Sequence, residues 1–349
     1  MKKLALATII IVVLIVLFAG VYFVFFSRIT EKQYNGIMCY YISHYVTKDA
    51  KTFEEKVLAL RDFVHRNIHP IDEYYNRLDT VAAEKLNSGI GWCDQQCHVF
   101  IQLARCIGLT SRLLFLHSEE TGDSPHSIAE VLAPDNRWVI VDPLYRLDLI
   151  NKDGKLASQE DIKNDPSIIT NNRRIRLRSQ YALWWNSPQN VAIYYNKPRY
   201  VVTKKGIRFD VLKIVPLTWF RPIVNTVQDR YFREINPNIK DADEWKMLKA
   251  RGAHLLGYYD KSEKLYDAII QNSKNALLLD KAQYYKAVLL KDRGKYQEAD
   301  RYIIEITKRS KPNPYHEYLL GIRSRALERM GRSKEANEVL KEAEYSLAI

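Results

Sequence analysis

Cysteine is scarce in this sequence, and charge is missing from its first segment. Only four cysteines occur among 349 residues, which is too few for a scaffold stabilised by disulfides. Residues 4–26 contain no charged residue, and this run ends without a small-residue cleavage site or a cysteine that could carry a lipid. A disulfide-rich secreted protein and a cleaved signal peptide are therefore excluded. Disorder is excluded as the main state, because 47% of the residues are hydrophobic.

The uncharged run predicts a membrane anchor. As a helix, residues 4–26 would be roughly 34 Å long at about 1.5 Å per residue, which is enough to cross a bilayer. Lys2 and Lys3 lie at its start and predict that this end is cytoplasmic. We therefore expect residues 1–30 to be an uncleaved signal anchor, a single-pass transmembrane helix in the cytoplasmic membrane, with the bulk of the chain extracytoplasmic.

The spacing of apolar residues then indicates helices followed by strands. Steps of three and four predict amphipathic helices over residues 53–68 and 93–107. A period of two predicts strands over residues 112–116, 126–133 and 138–143. Helices followed by antiparallel strands indicate an α+β domain, which we assign to residues 31–170.

The last two strands would form a hairpin, and its register decides which side chains meet. If the loop has three residues centred on Asp135, paired residues have numbers that sum to 270. His126 and Asp142 then lie diagonally on one face of the sheet, with Cα atoms roughly 7–8 Å apart. At this separation the carboxylate can reach the imidazole, fix its tautomer and support its charged form.

Most of the net positive charge lies in a connecting segment, residues 171–239. Between residues 171 and 235 there are 13 basic residues and only three acidic ones, so this stretch carries +10 of the net charge of +12. Its basic and aromatic residues predict contact of residues 171–235 with anionic lipid headgroups or acidic envelope polymers. A solvated basic face is the alternative. Nucleic acid is not an expected partner outside the cell.

The last segment, residues 240–349, repeats with a period of 37. Gly257, Gly294 and Gly331 are 37 residues apart, and small or apolar residues recur in register after each of them. Each glycine lies between two helical patterns, which predicts three helical hairpins. The pattern resembles tetratricopeptide repeats, although their period is nearer 34. That resemblance implies stacked helix pairs that bind a protein partner on a concave face or pack against the rest of the chain.

Short motifs between residues 91 and 143 carry the functional signal. Gly91-Trp92-Cys93 opens a predicted helix, where the dipole and free N–H groups favour a nucleophilic thiolate. HSIAEV begins at His126, and WVIVDP contains Asp142. Together with LARCIGLTSR at residues 103–112, these motifs resemble the transglutaminase-like superfamily of papain-type thiol enzymes. Each motif is weak alone, but all of them occur in the family's order and spacing.

The resemblance implies an acyl-transfer site without a cofactor or a metal. By it, Cys93 is the nucleophile, His126 is the general base and acid, and Asp142 orients His126. The thiolate would attack an amide in a protein or peptide, and the thioester would pass to an amine or to water. A second oxyanion donor is required, and Asn87 and Trp92 are candidates because they are close to Cys93 in sequence.

Two residues depart from the family pattern, and two alternatives stay open. Ile128 stands where an aromatic residue is common, and Cys97 stands where a small residue is common. Cys93, Cys97 and His98 suggest a zinc site, but the sequence offers no fourth ligand and no second close pair. In the other alternative the domain is catalytically inactive, and the chain is an envelope scaffold that binds partners through its repeats and its basic segment.

The sequence therefore predicts the α+β fold class with three parts. These are an N-terminal transmembrane helix, a transglutaminase-like (papain-type) domain, and a C-terminal all-α solenoid of tetratricopeptide-like repeats. The predicted function is that of a membrane-anchored, extracytoplasmic cysteine acyltransferase or protease that acts on protein or peptide amides.

Overall fold

The computed structural model describes residues 28–70, 81–116, 124–170, 216–235, 242–308 and 314–346, together with residues 11 and 22. The chain divides into two compact units, residues 1–234 and residues 235–349. The predicted site lies in the first unit, and the predicted repeats lie in the second.

The first unit has a small sheet with helices before and after it. The elements before the sheet are α1 (Glu31–Val46), α2 (Phe53–Asn67), α3 (Ala82–Ser88) and α4 (Cys93–Cys106). The strands are β1 (Ser111–Leu116), β2 (His126–Leu132) and β3 (Trp138–Val141). The elements after the sheet are α5 (Gln159–Asn164), α6 (Ser167–Thr170) and α7 (Leu217–Ile235), which ends at the boundary between the units.

The first two helices begin with capping boxes that the sequence encodes locally. The hydroxyl of Thr30 accepts from the backbone N–H of Gln33, whose side chain accepts from the N–H of Thr30. Thr52 and Glu55 repeat this arrangement at the start of α2. Each box satisfies two N–H groups that the first turn of a helix leaves without partners. These caps fix where α1 and α2 begin.

The three strands form an antiparallel sheet in the order β1-β2-β3. In the β2–β3 hairpin, Ala129 lies opposite Val141 and Leu132 lies opposite Trp138. The numbers of these pairs sum to 270, so the predicted register is confirmed. Helix α4 packs against β1 and β2, and α1, α2 and α3 pack against α4. The site residues therefore lie where the first turn of α4 meets the end of the hairpin.

The predicted fold class is wrong. The described residues are mostly helical, and their sheet has only three short strands. The period of two was identified correctly, but it covers a single small meander. Helices before and after this meander, and throughout the second unit, account for most of the described chain.

The predicted transmembrane helix is not supported. In the ranges given above, no helix is long and apolar enough to cross a membrane. Apart from residues 11 and 22, the predicted span of residues 4–26 lies outside the described residues. The length and apolarity of a run permit a spanning segment, but a span also requires one continuous helix. In the predicted basic contact segment, residues 171–235, residues 171–215 also lie outside the described residues.

The described part of the second unit is entirely helical apart from short connections. Its helices are α8 (Ala242–Leu255), α9 (Tyr259–Asn272), α10 (Ala276–Asp292), α11 (Tyr296–Thr307), α12 (His316–Arg329) and α13 (Ser333–Ser346). Consecutive helices pack against each other, and so do α8 with α10 and α10 with α12. Ser262, Ala299 and Ala336 are fully buried, so a small residue recurs where a second helix packs on the first.

The glycines spaced by 37 residues each end the first helix of a pair. The φ angle is 77° at Gly257, 75° at Gly294 and 76° at Gly331, in the left-handed region that favours glycine. The turn at Gly294 is closed by a bond from the N–H of Lys295 to the carbonyl of Leu290 at 2.9 Å. A Cβ on Gly294 would meet no atom within 4 Å, so backbone conformation selects glycine there. The relation to tetratricopeptide repeats stays a prediction.

The substitution Gly294→Ala is expected to lower the free energy of unfolding by about 1–2 kcal/mol, because a Cβ is strained in the left-handed region. Gly321→Ala is the matched control. Gly321 lies inside α12 and its surroundings are equally open, so alanine there should raise the free energy of unfolding by about 0.5–1 kcal/mol. Urea unfolding of the full chain measures both changes, and equal effects would contradict the backbone argument.

Candidate active site

Cys93 is the first residue of α4 and follows a turn that several hydrogen bonds hold in place. The N–H of Gly91 donates to the carbonyl of His69, just after α2, at 3.0 Å. The N–H of Trp92 donates to Oε1 of Gln95 in the first turn of α4, also at 3.0 Å. These bonds join the turn to two helices, so the direction in which α4 starts is fixed.

A side chain at position 91 would crowd the neighbours of this turn. A Cβ at this position would lie 2.9 Å from Oε1 of Gln95 and 3.0 Å from Cγ2 of Ile68. The side chain of Gln96 adds to the crowding, since its Nε2 donates to the carbonyls of Ile68 and Gly91 at 3.2 and 3.3 Å. The glycine of the Gly91-Trp92-Cys93 motif thus permits the close approach that positions Cys93.

The four cysteines differ in how far solvent can reach them. Cys39 and Cys97 are buried, whereas Cys93 and Cys106 are half-buried. The thiol of Cys97 donates to the carbonyl of Ser127 at 3.3 Å, and burial raises the pKa of this thiol well above its usual range. Cys97 is therefore a neutral core residue. Of the two cysteines in the first two turns of α4, Cys93 is the one that a reagent can reach.

His126 and Asp142 meet in a buried contact. His126 is the first residue of β2, and Asp142 follows β3 directly. Nε2 of His126 lies 2.7 Å from Oδ2 of Asp142, and the two side chains are 1% and 0% exposed. Cys93 lies close enough to this imidazole to contribute to the rise in its pKa. His126 thus has Asp142 as a direct partner and Cys93 as a neighbour, and the catalytic role of the three residues stays a prediction.

The carboxylate of Asp142 keeps the imidazole of His126 protonated. Burial alone would lower the pKa of His126, but the charge of Asp142 and the hydrogen bonds to Asp142 and Cys93 outweigh burial and raise this pKa to about 9. At a pH below the ordinary histidine pKa, the pair contributes its full stabilisation to the fold. This contribution is lost as the pH rises through about 9.

The other residues singled out in the sequence have different surroundings. Asn87 is fully buried, and its Nδ2 donates to the hydroxyl of Tyr34. The indole Nε1 of Trp92 is buried, and no hydrogen-bond acceptor for it lies among the described residues. Ile128 is fully buried in the core cluster beside the sheet, so it does not line an open groove.

The residues suggested for zinc are engaged in other contacts. In the described part of the chain, no group of three or more His, Cys, Asp or Glu residues could hold a metal ion. Nδ1 of His98 lies 3.4 Å from Nζ of Lys85. Burial, together with the positive charges of Lys85 and Arg105, lowers the pKa of His98 to about 4. His98 is therefore a neutral acceptor for a lysine.

A comparison with known families agrees with the site geometry. Residues 40–143 match the model of the Transglutaminase-like superfamily, and this range contains Cys93, His126 and Asp142. Residues 40–143 form a transglutaminase-like domain. The domain begins within α1 and ends directly after Asp142, so it includes α2, α3, α4 and the β2–β3 hairpin.

A solved structure described as "a Putative Cysteine Protease from Cytophaga hutchinsonii" has 22% sequence identity to this chain. The similarity covers 42% of this chain and 48% of that structure, with a TM-score of 0.28. The chain thus matches about half the length of that structure. No curated protein matches the chain.

An irregular segment, residues 143–148, follows Asp142 at the edge of the transglutaminase-like domain. Arg146 in this segment has a φ angle of 53°, in the left-handed region that costs energy for a residue with a side chain. Its guanidinium forms two bonds with Asp62 of α2, from Nε to Oδ1 at 3.0 Å and from Nη2 to Oδ2 at 2.7 Å. This paired contact holds Arg146 in its unfavourable conformation.

Two more residues of α2 bind the same segment. Nδ1 of His65 donates to the carbonyls of Pro143 and Leu144, at 3.1 Å in each case. The buried guanidinium of Arg61 donates to the carbonyl of Leu147. Helix α2 therefore fixes the backbone on both sides of Tyr145.

Sequence reasoning missed Tyr145 and the polar residues of α2. The contacts of α2 with residues 143–148 join positions 78 to 86 residues apart, and no periodic pattern links such positions. The one signal in the sequence is Arg61, a charged residue that directly follows the apolar position Leu60 in α2. Both side chains are buried, and a buried arginine needs a partner elsewhere in the fold.

Acid is expected to weaken the contact between Asp62 and Arg146. Burial alone would raise the pKa of Asp62, but the hydrogen bond from Arg146 and the charges of Arg61 and Arg146 lower it to about 2. Because this value lies below the ordinary aspartate pKa of about 3.9, the stabilisation is present above about pH 4 and is lost as the pH falls towards 2. Its size is about 2 kcal/mol.

The free energy of unfolding falls between pH 5 and pH 2. The substitution Asp62→Asn is expected to make this fall smaller by about 2 kcal/mol. Urea unfolding at several pH values measures this difference. Asp49→Asn is the control, because that carboxylate is 91% exposed. An Asp62→Asn variant with the same acid sensitivity as wild type would refute the assignment.

Proposed function

We propose that the transglutaminase-like domain is a thiol acyltransferase or amide hydrolase that acts on amides of proteins or peptides. A domain of this superfamily supports a cysteine-type enzyme in general terms. The observation that carries the specific proposal is the connected group of Asp142, His126 and Cys93, with a buried contact of 2.7 Å between the first two. In it, Cys93 is the nucleophile, His126 is the base and acid, and Asp142 orients His126.

The proposed reaction has two stages, which are formation of a thioester on Cys93 and transfer of its acyl group to an amine or to water. In the first, the sulfur of Cys93 acts as a thiolate paired with the protonated His126 and attacks the carbonyl carbon of the amide. The C–N bond then breaks, and His126 gives its proton to the leaving amine. In the second, an amine or a water molecule attacks the thioester, His126 takes a proton from it, and the C–S bond breaks to release the thiolate of Cys93. The charge of Asp142 supports the imidazolium in both stages.

The developing oxyanion needs two donors in this scheme. The backbone N–H of Cys93 lies at the start of α4, where helical geometry supplies no acceptor for it. Of the two side-chain candidates, Trp92 has the better claim. Its indole N–H is buried without an acceptor among the described residues, whereas the amide nitrogen of Asn87 donates to Tyr34.

For the second unit we propose three repeats of helix pairs related to tetratricopeptide repeats, with a protein partner as their ligand. The support is the recurrent left-handed glycine between the helices of each pair and the buried small residue that follows it. Recruitment of a substrate protein is the role that such repeats would have beside an amide-directed enzyme.

At pH 7, iodoacetamide is expected to modify Cys93 at least about ten times faster than Cys106, because the imidazolium of His126 lies beside Cys93. Both thiols are half-buried, so Cys106 is an internal control for access. His126→Ala should abolish the difference. Asp142→Asn should do the same, because it removes the charge that keeps His126 protonated while burial remains. Mass spectrometry of the cysteine peptides over time measures the rates.

Equal and slow labelling of both thiols in the wild type would contradict the thiol-enzyme proposal. That result would favour the inactive scaffold, whose function would depend on the second unit and the basic segment. If labelling is selective for Cys93 but His126→Ala does not change it, only the role of His126 would be contradicted.

The substitution Trp92→Phe is expected to slow acyl transfer by about 10²- to 10³-fold, because an oxyanion donor is lost. Transfer is measured as incorporation of a labelled amine into proteins of a cell extract. Alkylation of Cys93 by iodoacetamide should be unchanged, because displacement of iodide forms no oxyanion. A parallel fall in both rates would show that Trp92 only supports the fold around Cys93.

A further inference from the structure

Tyr145 contacts both members of the buried pair through two different parts of the residue. Its backbone N–H donates to Oδ1 of Asp142 at 3.0 Å, while Oδ2 of the same carboxylate contacts His126. Its aromatic ring lies against the imidazole of His126, with ring centroids 4.9 Å apart and planes tilted by 50°. One residue therefore orients the carboxylate and covers the imidazole.

The hydrogen bond to Asp142 does not by itself fix the imidazole of His126. The χ2 torsion of histidine is broad and roughly two-fold, so a ring held at one nitrogen can still turn about the direction of that bond. A turn of this kind would move the second nitrogen away from Cys93. An aromatic ring packed on the imidazole blocks the turn, because the imidazole would have to pass through it.

The phenol of Tyr145 is close to both charged partners of His126. Burial, and then the negative charges of Asp142 and Cys93, raise the pKa of Tyr145 to about 12. The side chain is half-buried, so its ring forms part of the boundary between the buried pair and solvent. It stays neutral at the pH of the proposed reaction and does not compete for the proton that His126 transfers.

The position of Tyr145 is set from outside the site. Its next neighbour, Arg146, is held in a left-handed conformation by Asp62, and the carbonyl of Leu144 on its other side accepts from His65. Both partners belong to α2, which contributes none of the three proposed catalytic residues. The tyrosine ring is thus presented to His126 by a backbone that α2 holds on both sides.

We propose that Tyr145 is a positioning residue that locks the imidazole of His126 in the orientation that reaches Cys93, and that α2 holds Tyr145 in place. This inference deepens the proposed function and rests on it for its consequence in catalysis. The locking itself depends only on the contacts between Tyr145, Asp142 and His126.

The test compares three substitutions at Tyr145 with one control in the same core. Tyr145→Phe keeps the ring, Tyr145→Leu keeps apolar bulk without a flat face, and Tyr145→Ala removes both. Ile168→Ala is the control, because Ile168 is partly buried against the same core cluster as Tyr145. Nitrogen-15 NMR of the His126 imidazole, assigned by comparison with His126→Asn, reads the orientation and tautomer. The ratio of iodoacetamide labelling at Cys93 to that at Cys106 reads the consequence for the thiol.

Tyr145→Phe should keep the single imidazole state and the labelling ratio of the wild type. Tyr145→Leu and Tyr145→Ala should give a mixture of imidazole states and a labelling ratio lower by about tenfold or more. Ile168→Ala should leave both readouts unchanged, whatever its effect on stability. A wild-type imidazole signal in Tyr145→Leu, or an equal change in Ile168→Ala, would overturn the proposal.

The two readouts distinguish failure of the positioning role from failure of the proposed function. If Cys93 of the wild type is labelled no faster than Cys106, the proposed function fails, and the NMR comparison alone decides the role of Tyr145. If labelling is selective but the imidazole does not respond to Tyr145→Leu, the enzyme proposal stands and the positioning role is wrong.

Discussion

The buried pair of His126 and Asp142 is the interaction on which the rest of the site depends. Both side chains are removed almost completely from solvent, and loss of one partner of such a pair commonly costs about 3–5 kcal/mol because the other charge is left buried. The pair therefore constrains the surrounding fold. The hairpin must keep its register, and the chain after β3 must keep the carboxylate in place. Cys93 contributes to this arrangement from a helix that packs against the same sheet.

Two kinds of support hold the pair. The β2–β3 register is regular secondary structure, in which backbone hydrogen bonds fix how the strands align. The segment of residues 143–148 has no such ladder, and side chains of α2 replace it. The contact of Asp62 with Arg146 even maintains a left-handed backbone conformation that is unfavourable by itself. Irregular backbone beside a functional site is stable here because a neighbouring helix supplies its hydrogen-bond partners.

Prediction from the sequence succeeded where the signal was local and failed where it was not. The register of the hairpin followed from a turn at Asp135, and His126 meets Asp142 as that register predicts. The triad of these two residues with Cys93 stays a prediction. The fold class was wrong, because a clear period of two in one region says nothing of how small the resulting sheet is. Asn87 was named as a candidate oxyanion donor on proximity in sequence alone, and its amide nitrogen donates to Tyr34.

The sequence by itself determined the helix caps, the strand period, the hairpin register and the left-handed glycine turns, because each depends on residues within a few positions of one another. Only the tertiary structure decided that Tyr145 covers His126 and that α2 binds residues 143–148. Those contacts join residues up to 86 positions apart. The physical reason is that a buried charged or polar group needs a partner, but the sequence does not specify which distant residue the packed chain will bring to it.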